Sequence, residues 1–262
     1  METVAQRVLV IGDTHIKPGE SLKRFDAASN FIVENEIQRV VIIGDFVDMA
    51  SLSSFERPGS RQLEGKRVIN DIEVGKEALR RLHSQRAALN ERLSKSKHKQ
   101  TPLAIDYIEG NHEYRIKRLW NENAKFEGAF DLSKELKGLI SSYTPYKEYL
   151  FINGVGFTHV PFSSSGPIES VYGVYKVLSY INIPVIYGHT HKLEYNSCVR
   201  TGMQFPLSAL NVGCFFEEEG DGEYKEGKLK NYWRGLILVD TYPEGRFDYY
   251  TTSLDALITG YL

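Results

Sequence analysis

Cysteine is nearly absent: Cys198 and Cys214 are the only two in 262 residues, and they are not spaced as a CxxC pair. A disulfide framework is thereby excluded, and a reducing, cytoplasmic setting is expected. A chain of this length can bury a rigid core without disulfides or structural zinc, which leaves any bound metal free for chemistry. Long apolar runs are missing too. No segment approaches the roughly 18 to 20 residues needed to span a bilayer, and no basic stretch precedes an apolar secretory core, so no membrane partner is expected. Charge of one sign is also scarce. A net charge of −2 and a pI near 6.4 exclude a whole-surface basic field of the kind that binds nucleic acid indiscriminately.

What is present is globular composition, 42% hydrophobic and 25% charged, expected to form one domain over residues 1–262 with lid or insertion segments at 51–70 and 114–146. Val8 to Ile11, Val40 to Ile43 and Leu103 to Ile108 are apolar runs that read as buried parallel strands. Between the first two, Leu22, Phe25, Ala28, Phe31 and Ile32 recur at helical spacing, and a second helix is expected over Ile72 to Leu93. Trp120, Phe126 and Phe130 are expected to pack. Asn153-Gly154 signals a hairpin between strands at 149–155 and 156–160. A helix over Pro167 to Ile181 and strands at 184–187, 192–199, 207–212, 236–240 and 246–252 complete the pattern, with a Gly- and Glu-rich surface loop at 217–227.

Four segments share one design, an apolar strand, a glycine, and then residues able to bind a metal. They are Gly12-Asp13-Thr14-His15, Gly44-Asp45-Phe46-Val47-Asp48, Gly110-Asn111-His112-Glu113 and Gly188-His189-Thr190-His191. Singly, each passes for an ordinary turn. As an ordered set on strand ends they do not, and the glycines are expected to permit the tight backbone such turns need. Five of the seven histidines lie on these segments or, as His159, at the end of the strand over 156–160. Ligands of open α/β sheets bind beyond the carboxyl ends of strands, so these residues are expected to share one crevice.

Asp13 and His15 are one residue apart, so on an extended segment both side chains leave from the same side and can chelate one ion; His189 and His191 repeat the spacing. Imidazoles, carboxylates and a carboxamide suit manganese first, with iron, zinc, nickel or cobalt as alternatives, and suit magnesium or calcium poorly. Two divalent ions about 4 Å apart would repel by roughly 16 kcal/mol at an effective dielectric of 20, so a carboxylate must sit between them.

The ordered set resembles the calcineurin-like metallophosphoesterase superfamily. Its signature of Asp-x-His, Gly-Asp-x-x-Asp, Gly-Asn-His-Glu/Asp, an isolated His and Gly-His-x-His is matched in full and in order between residues 8 and 191. The resemblance implies an α/β fold, a four-layer αββα sandwich of two mixed β-sheets flanked by helices. It also implies a hydrolase of phosphate esters with two divalent metal ions. Asp13, His15 and His191 would hold the first ion and Asn111, His159 and His189 the second, with Asp45 bridging them and ion-activated water as the nucleophile. His112 would protonate the leaving oxygen, oriented by Asp48.

For the substrate, Arg115 and Asn111 are the expected contacts, with Lys117 and Arg118 close behind. Tyr143, Tyr146 and Tyr149 can stack on a base or serve packing alone. The arginine that protein phosphatases of the superfamily carry after the second Asp is Met49 here, and the aspartate usual after Asn-His in its nucleases is Glu113. The expectation is a phosphodiesterase or nuclease acting on a nucleotide or nucleic-acid ester. The alternatives are a phosphomonoesterase, either nucleotidase or protein phosphatase, and a non-catalytic binding module of the same fold.

Overall fold

The run from Val8 to Ile11 has no polar side to offer water, and all four side chains are fully buried in strand β1 (Gln6–Ile11). Their alternation divides them: Leu9 and Ile11 join one hydrophobic cluster, Val8 and Val10 another on the opposite face, as the two-residue period of a strand requires. Strand β2 (Arg39–Ile42) repeats this, with Val40 and Ile42 on the first face and Val41 on the second. Strand β3 (Ala104–Ile108) follows, parallel to β2 as β2 is to β1. The computed structural model describes residues 5–53, 61–164, 166–168, 173–217 and 232–262.

Two helices connect these strands, α1 (Lys23–Glu34) and α2 (Val68–Lys95); then come α3 (Arg115–Glu122), α4 (Leu132–Glu135) and strand β4 (Ser142–Thr144). A tight hairpin joins β5 (Leu150–Ile152) to β6 (Val155–Thr158), with Asn153 and Gly154 both left-handed, the conformation its turn type needs. A two-stranded ribbon of β7 (Phe162–Ser163) and β8 (Gly166–Pro167) precedes α5 (Gly173–Tyr180) and β9 (Val185–Tyr187). The chain continues through β10 (Leu193–Cys198), β11 (Leu207–Val212), β12 (Gly235–Tyr242), β13 (Arg246–Ser253) and α6 (Leu254–Tyr261).

The strands form two large mixed sheets, ordered β13-β12-β1-β2-β3-β4 and β10-β11-β9-β6-β5. Val10, Val41 and Ile108 of the first sheet meet Phe157, Ile186 and Leu210 of the second in a dry layer. Outside the first sheet, Phe25, Ile32, Leu79, Leu82 and Leu257 bring α1, α2 and α6 onto Leu9, Ile42 and Ile105. Outside the second, Val177 and Leu178 of α5 cover Val185, Tyr187 and Ala209. The result is the four-layer αββα sandwich expected. Each fully buried aliphatic side chain contributes about 1.5–3 kcal/mol, and the inter-sheet layer alone holds 13 buried residues. That rigidity fixes where the strand ends point.

Three expectations need correction. The helix over Pro167 to Ile181 begins its described part only at Gly173, because Gly166 and Pro167 pair as strand β8; residues 169–172 lie outside the described part. Phe126 is 42% exposed and does not pack into the core, whereas Trp120 and Phe130 do pack against it. The 114–146 segment ends in an added strand, β4, parallel to β3. Residues 54–60 of the expected 51–70 insertion, Arg57 among them, and nearly all of the Gly- and Glu-rich loop also lie outside the described residues. No helix among the described residues is long and apolar enough to cross a membrane.

Candidate metal centre

Beyond the carboxyl ends of β1, β2 and β3 in one sheet, and of β6 and β9 in the other, five loops meet. Backbone hydrogen bonds lock them together. The amides of Thr14 and His15 both donate to the Asp45 carbonyl, Gly188 N donates to His159 O, and His189 N donates to the Asp13 carboxylate at 3.0 Å. Two signature glycines abut the ligands directly. Gly44 is left-handed (φ 96°), and a Cβ there would lie 2.7 Å from the His159 ring. Gly110 has no positive φ; it is required for space, since a Cβ would lie 2.2 Å from Asp45 Oδ1.

The donor atoms gather into two groups around one carboxylate. Asp13, His15 and His191 form the first: His191 Nε2 is 3.0 Å from Asp13 Oδ2 and 3.1 Å from His15 Nε2. Asp45, His159 and His189 form the second, with His159 Nε2 3.3 Å from both Asp45 Oδ2 and His189 Nδ1, and 2.9 Å from Asn111 Oδ1. Asp45 Oδ2 also lies 3.8 Å from His15 Nε2 and 3.8 Å from His112 Nε2. All seven residues expected to hold metal therefore stand in one place.

The donors converge, but not by chelating from extended segments as their spacing suggested. His15, His189 and His191 have φ of 43°, 74° and 60°, and Asp45 has 47°. These segments are sharp turns, not strands. His189 and His191 consequently part company, one to each group. A left-handed L-residue costs about 1–2 kcal/mol, so the four together store roughly 4–8 kcal/mol that the packed sandwich must offset. Four of the seven residues expected to hold metal thus share this backbone conformation.

His159 tests whether a cation fits. Its Nδ1 lies 3.0 Å from the Ile43 carbonyl, which fixes a proton on that nitrogen. Nε2 then presents a lone pair to an amide oxygen, a carboxylate oxygen and another imidazole, an arrangement that needs a positive centre. Without metal a proton serves: burial alone would lower the His159 pKa, but the Asp45 and Asp13 carboxylates raise it to about 9. A divalent cation would serve in place of that proton, and the mixed nitrogen and oxygen donor set suits a transition metal. Burial would raise the pKa values of Asp13 and Asp45, yet His159 and the neighbouring histidines hold both below their ordinary value. His15 is held down chiefly by burial, which favours the neutral, ligating imidazole.

Beside the two groups, His112 Nδ1 is 2.9 Å from Asp48 Oδ1 and 2.8 Å from the Asp48 carbonyl, so this nitrogen carries a proton. Burial works against a charged His112, but Asp45 and Asp48 outweigh it and raise its pKa in spite of Arg115. Burial would likewise raise the Asp48 carboxyl, and His112 and His15 pull it well down instead. Arg115 is only 6% exposed. It donates to the carbonyls of Asp48 and Met49 at 2.8 and 3.3 Å, and its Nη2 lies 3.2 Å from His112 Nε2. The structure thus turns Arg115 inward, under His112.

Two features escaped the sequence reading. Glu113 is fully buried, and its carboxylate accepts from the amides of Asp45, Val47 and Gly110 and from the Tyr107 hydroxyl, all at 2.9–3.1 Å. It ties the Asn111 loop to the Asp45 loop; its place in the motif was the only signal. Phe216 and Tyr232 set their rings edge-on to His191, with centroids 5.2 and 4.8 Å away. No motif marks them.

A family model described as calcineurin-like phosphoesterase matches residues 6–193. No curated protein matches the chain. Among solved structures, the crystal structure of TT1561 of Thermus thermophilus is similar over 96% of this chain and 100% of that one, at 9% identity and a TM-score of 0.38.

Proposed function

The chain belongs to the calcineurin-like phosphoesterase family, and from that premise we propose that it is a phosphodiesterase acting on nucleotide or nucleic-acid esters with two divalent cations, manganese foremost. The observation that carries this reading is the position of Asp45 Oδ2, 3.8 Å from His15 Nε2 on one side and 3.3 Å from His159 Nε2 on the other. A single carboxylate oxygen reaching both donor groups is what two mutually repelling cations require.

Asp13, His15 and His191 would hold one ion, Asn111, His159 and His189 the other, and Asp45 both; bound there, the ions supply Lewis acidity and a water acidic enough to ionise near neutral pH. The remaining work falls to the chain's own groups. Asp48 keeps the Nδ1 proton of His112 in place, which turns Nε2 toward Asp45 as the nitrogen through which a proton would reach the leaving oxygen. Arg115 packs beneath and limits how basic His112 becomes. Glu113 holds the Asp45 and Gly110 amides in register, and Phe216 and Tyr232 pack edge-on against the His191 ring.

A diester is favoured over a monoester by how the two positions expected to grip a phosphate, that after Asp48 and Arg115, are spent. A monoester dianion carries one more charge and is best met by an arginine fork. Met49 occupies the position after Asp48 and is fully buried, and the Arg115 guanidinium is already engaged by two carbonyls. Manganese-loaded protein should therefore turn over bis-p-nitrophenyl phosphate at least about tenfold faster than p-nitrophenyl phosphate. A reversed ratio would make it a phosphomonoesterase. Inactivity on both across a panel of metals would leave a binding module.

A further inference from the structure

Next to the Asn111 and His159 side of the centre lies a group of aromatic rings that none of the roles above uses. Tyr114 follows the Asn111 turn, Tyr146 follows β4, and Phe162 opens β7. Their centroids are 5.1 Å apart for Tyr114 and Tyr146 and 5.6 Å for Tyr146 and Phe162, and Tyr146 lies 6.3 Å from the His159 ring. All three residues are only partly buried. The exposed Lys147 places its ammonium 5.6–5.9 Å from all three centroids, from a left-handed backbone (φ 78°) that a non-glycine residue rarely adopts.

This platform is fastened to the metal loop. Glu109, 2% exposed and two residues before Asn111, accepts the Tyr146 amide at 2.9 Å and the Lys117 ammonium at 2.7 Å. On the other flank the Phe162 amide donates to the Tyr149 hydroxyl at 3.1 Å. Rings that merely filled space would need no such registration with Asn111 and would not stay only partly buried.

We propose that Tyr114, Tyr146, Phe162 and Lys147 form a base subsite: a nucleobase of the esterified nucleotide stacks on the rings while Lys147 donates to its carbonyl edge or to the flanking phosphate. This rests on the phosphoesterase reading and names its substrate class. The ammonium decides against the other ligand that aromatic cages take, since a quaternary ammonium group would be repelled by the cation already among the rings. A planar, uncharged base beside an anion suits both rings and lysine.

The test compares two esters that share a leaving group, thymidine 5′-(p-nitrophenyl phosphate) and methyl p-nitrophenyl phosphate, on the manganese-loaded full chain. Tyr146→Ala leaves the backbone bond to Glu109 intact. It should lower kcat/KM for the thymidine ester by about 5- to 100-fold, the usual worth of one stacked base, through KM, while the methyl ester changes less than about twofold and Tyr146→Trp restores the loss. An equal loss on both esters, or no loss on either, overturns the subsite. Should wild type hydrolyse neither, the phosphoesterase reading fails and the subsite is judged by binding. Fluorescence titration should then show thymidine 5′-monophosphate bound more tightly than methyl phosphate, with the preference lost in Tyr146→Ala; equal binding of the two overturns the proposal.

Discussion

Replacing Glu113 by Gln changes one atom and tests whether the loop-to-loop tie governs metal binding. Each Glu113 oxygen accepts two donors: Oε1 takes Val47 N and Tyr107 Oη, Oε2 takes Asp45 N and Gly110 N. In Gln one of these atoms becomes an amide that donates, so two buried donors lose their partner, at about 1–3 kcal/mol each. Against that stands the relief of removing a buried charge. Burial and the nearby Asp45 raise the Glu113 pKa from 4.5 to about 7, which makes the ionised carboxylate costly by about 3 kcal/mol. Near pH 8 the two effects nearly cancel in global stability, and the melting temperature of metal-free protein should move little.

Metal affinity should not be spared, because either orientation of the new amide orphans a backbone N–H of the Asp45 loop, that of Asp45 or that of Val47. A displacement costing about 1.4–4 kcal/mol lowers manganese affinity by roughly 10- to 1,000-fold, readable by calorimetric titration. The pH dependence has a fixed sign. At Glu113 the native metal-free protein keeps a proton that the unfolded chain releases near 4.5, so this group's contribution to wild-type stability falls as pH rises from 4.5 to about 7. The Glu113→Gln variant lacks that decline, so its stability relative to wild type should improve by about 3 kcal/mol over that window. Unchanged manganese affinity, or a relative stability that worsens with rising pH, would refute the reasoning.

Two further outcomes follow from neighbouring groups. In metal-free protein His159 keeps its second proton up to about pH 9; an incoming ion must displace it, so apparent manganese affinity should climb with pH by up to about tenfold per unit below that value and then flatten, and a flat titration would contradict it. His112→Asn should keep its metal yet lose about 100-fold or more in rate on a diester with a poor leaving group, and much less on a nitrophenyl ester that needs no proton; an equal loss on both would remove the acid role.

The strands that carry the site were legible because they are buried on both faces: Val8 to Ile11 and Val40 to Ile43 leave no periodicity except continuous apolarity. The hairpin was legible because Asn153 and Gly154 tolerate positive φ. Strand β4 was not. Ser142, Tyr143 and Thr144 are mixed in polarity, and Ser142 satisfies its hydroxyl on Asp106 Oδ1 at 2.5 Å, a partner far away in sequence. The donors were found through their ordered motifs, but the reason they converge was not: strict alternation belongs to extended chain, and His15, Asp45, His189 and His191 leave it at the strand ends. Arg115 was expected to face the substrate, as an arginine after the turn does by default. Only the three-dimensional position of the Asp48 and Met49 carbonyls draws it inward. Phe216 and Tyr232 lie far from His191 in sequence, so no local pattern encodes their contact with it.

Anomalous diffraction from crystals of manganese-loaded protein is the most direct measure of the centre. Two peaks about 4 Å apart are predicted, one among Asp13, His15 and His191, the other among Asn111, His159 and His189, with Asp45 touching both. A lone peak away from Asp45, or ions bound without any contact to these residues, would contradict the account.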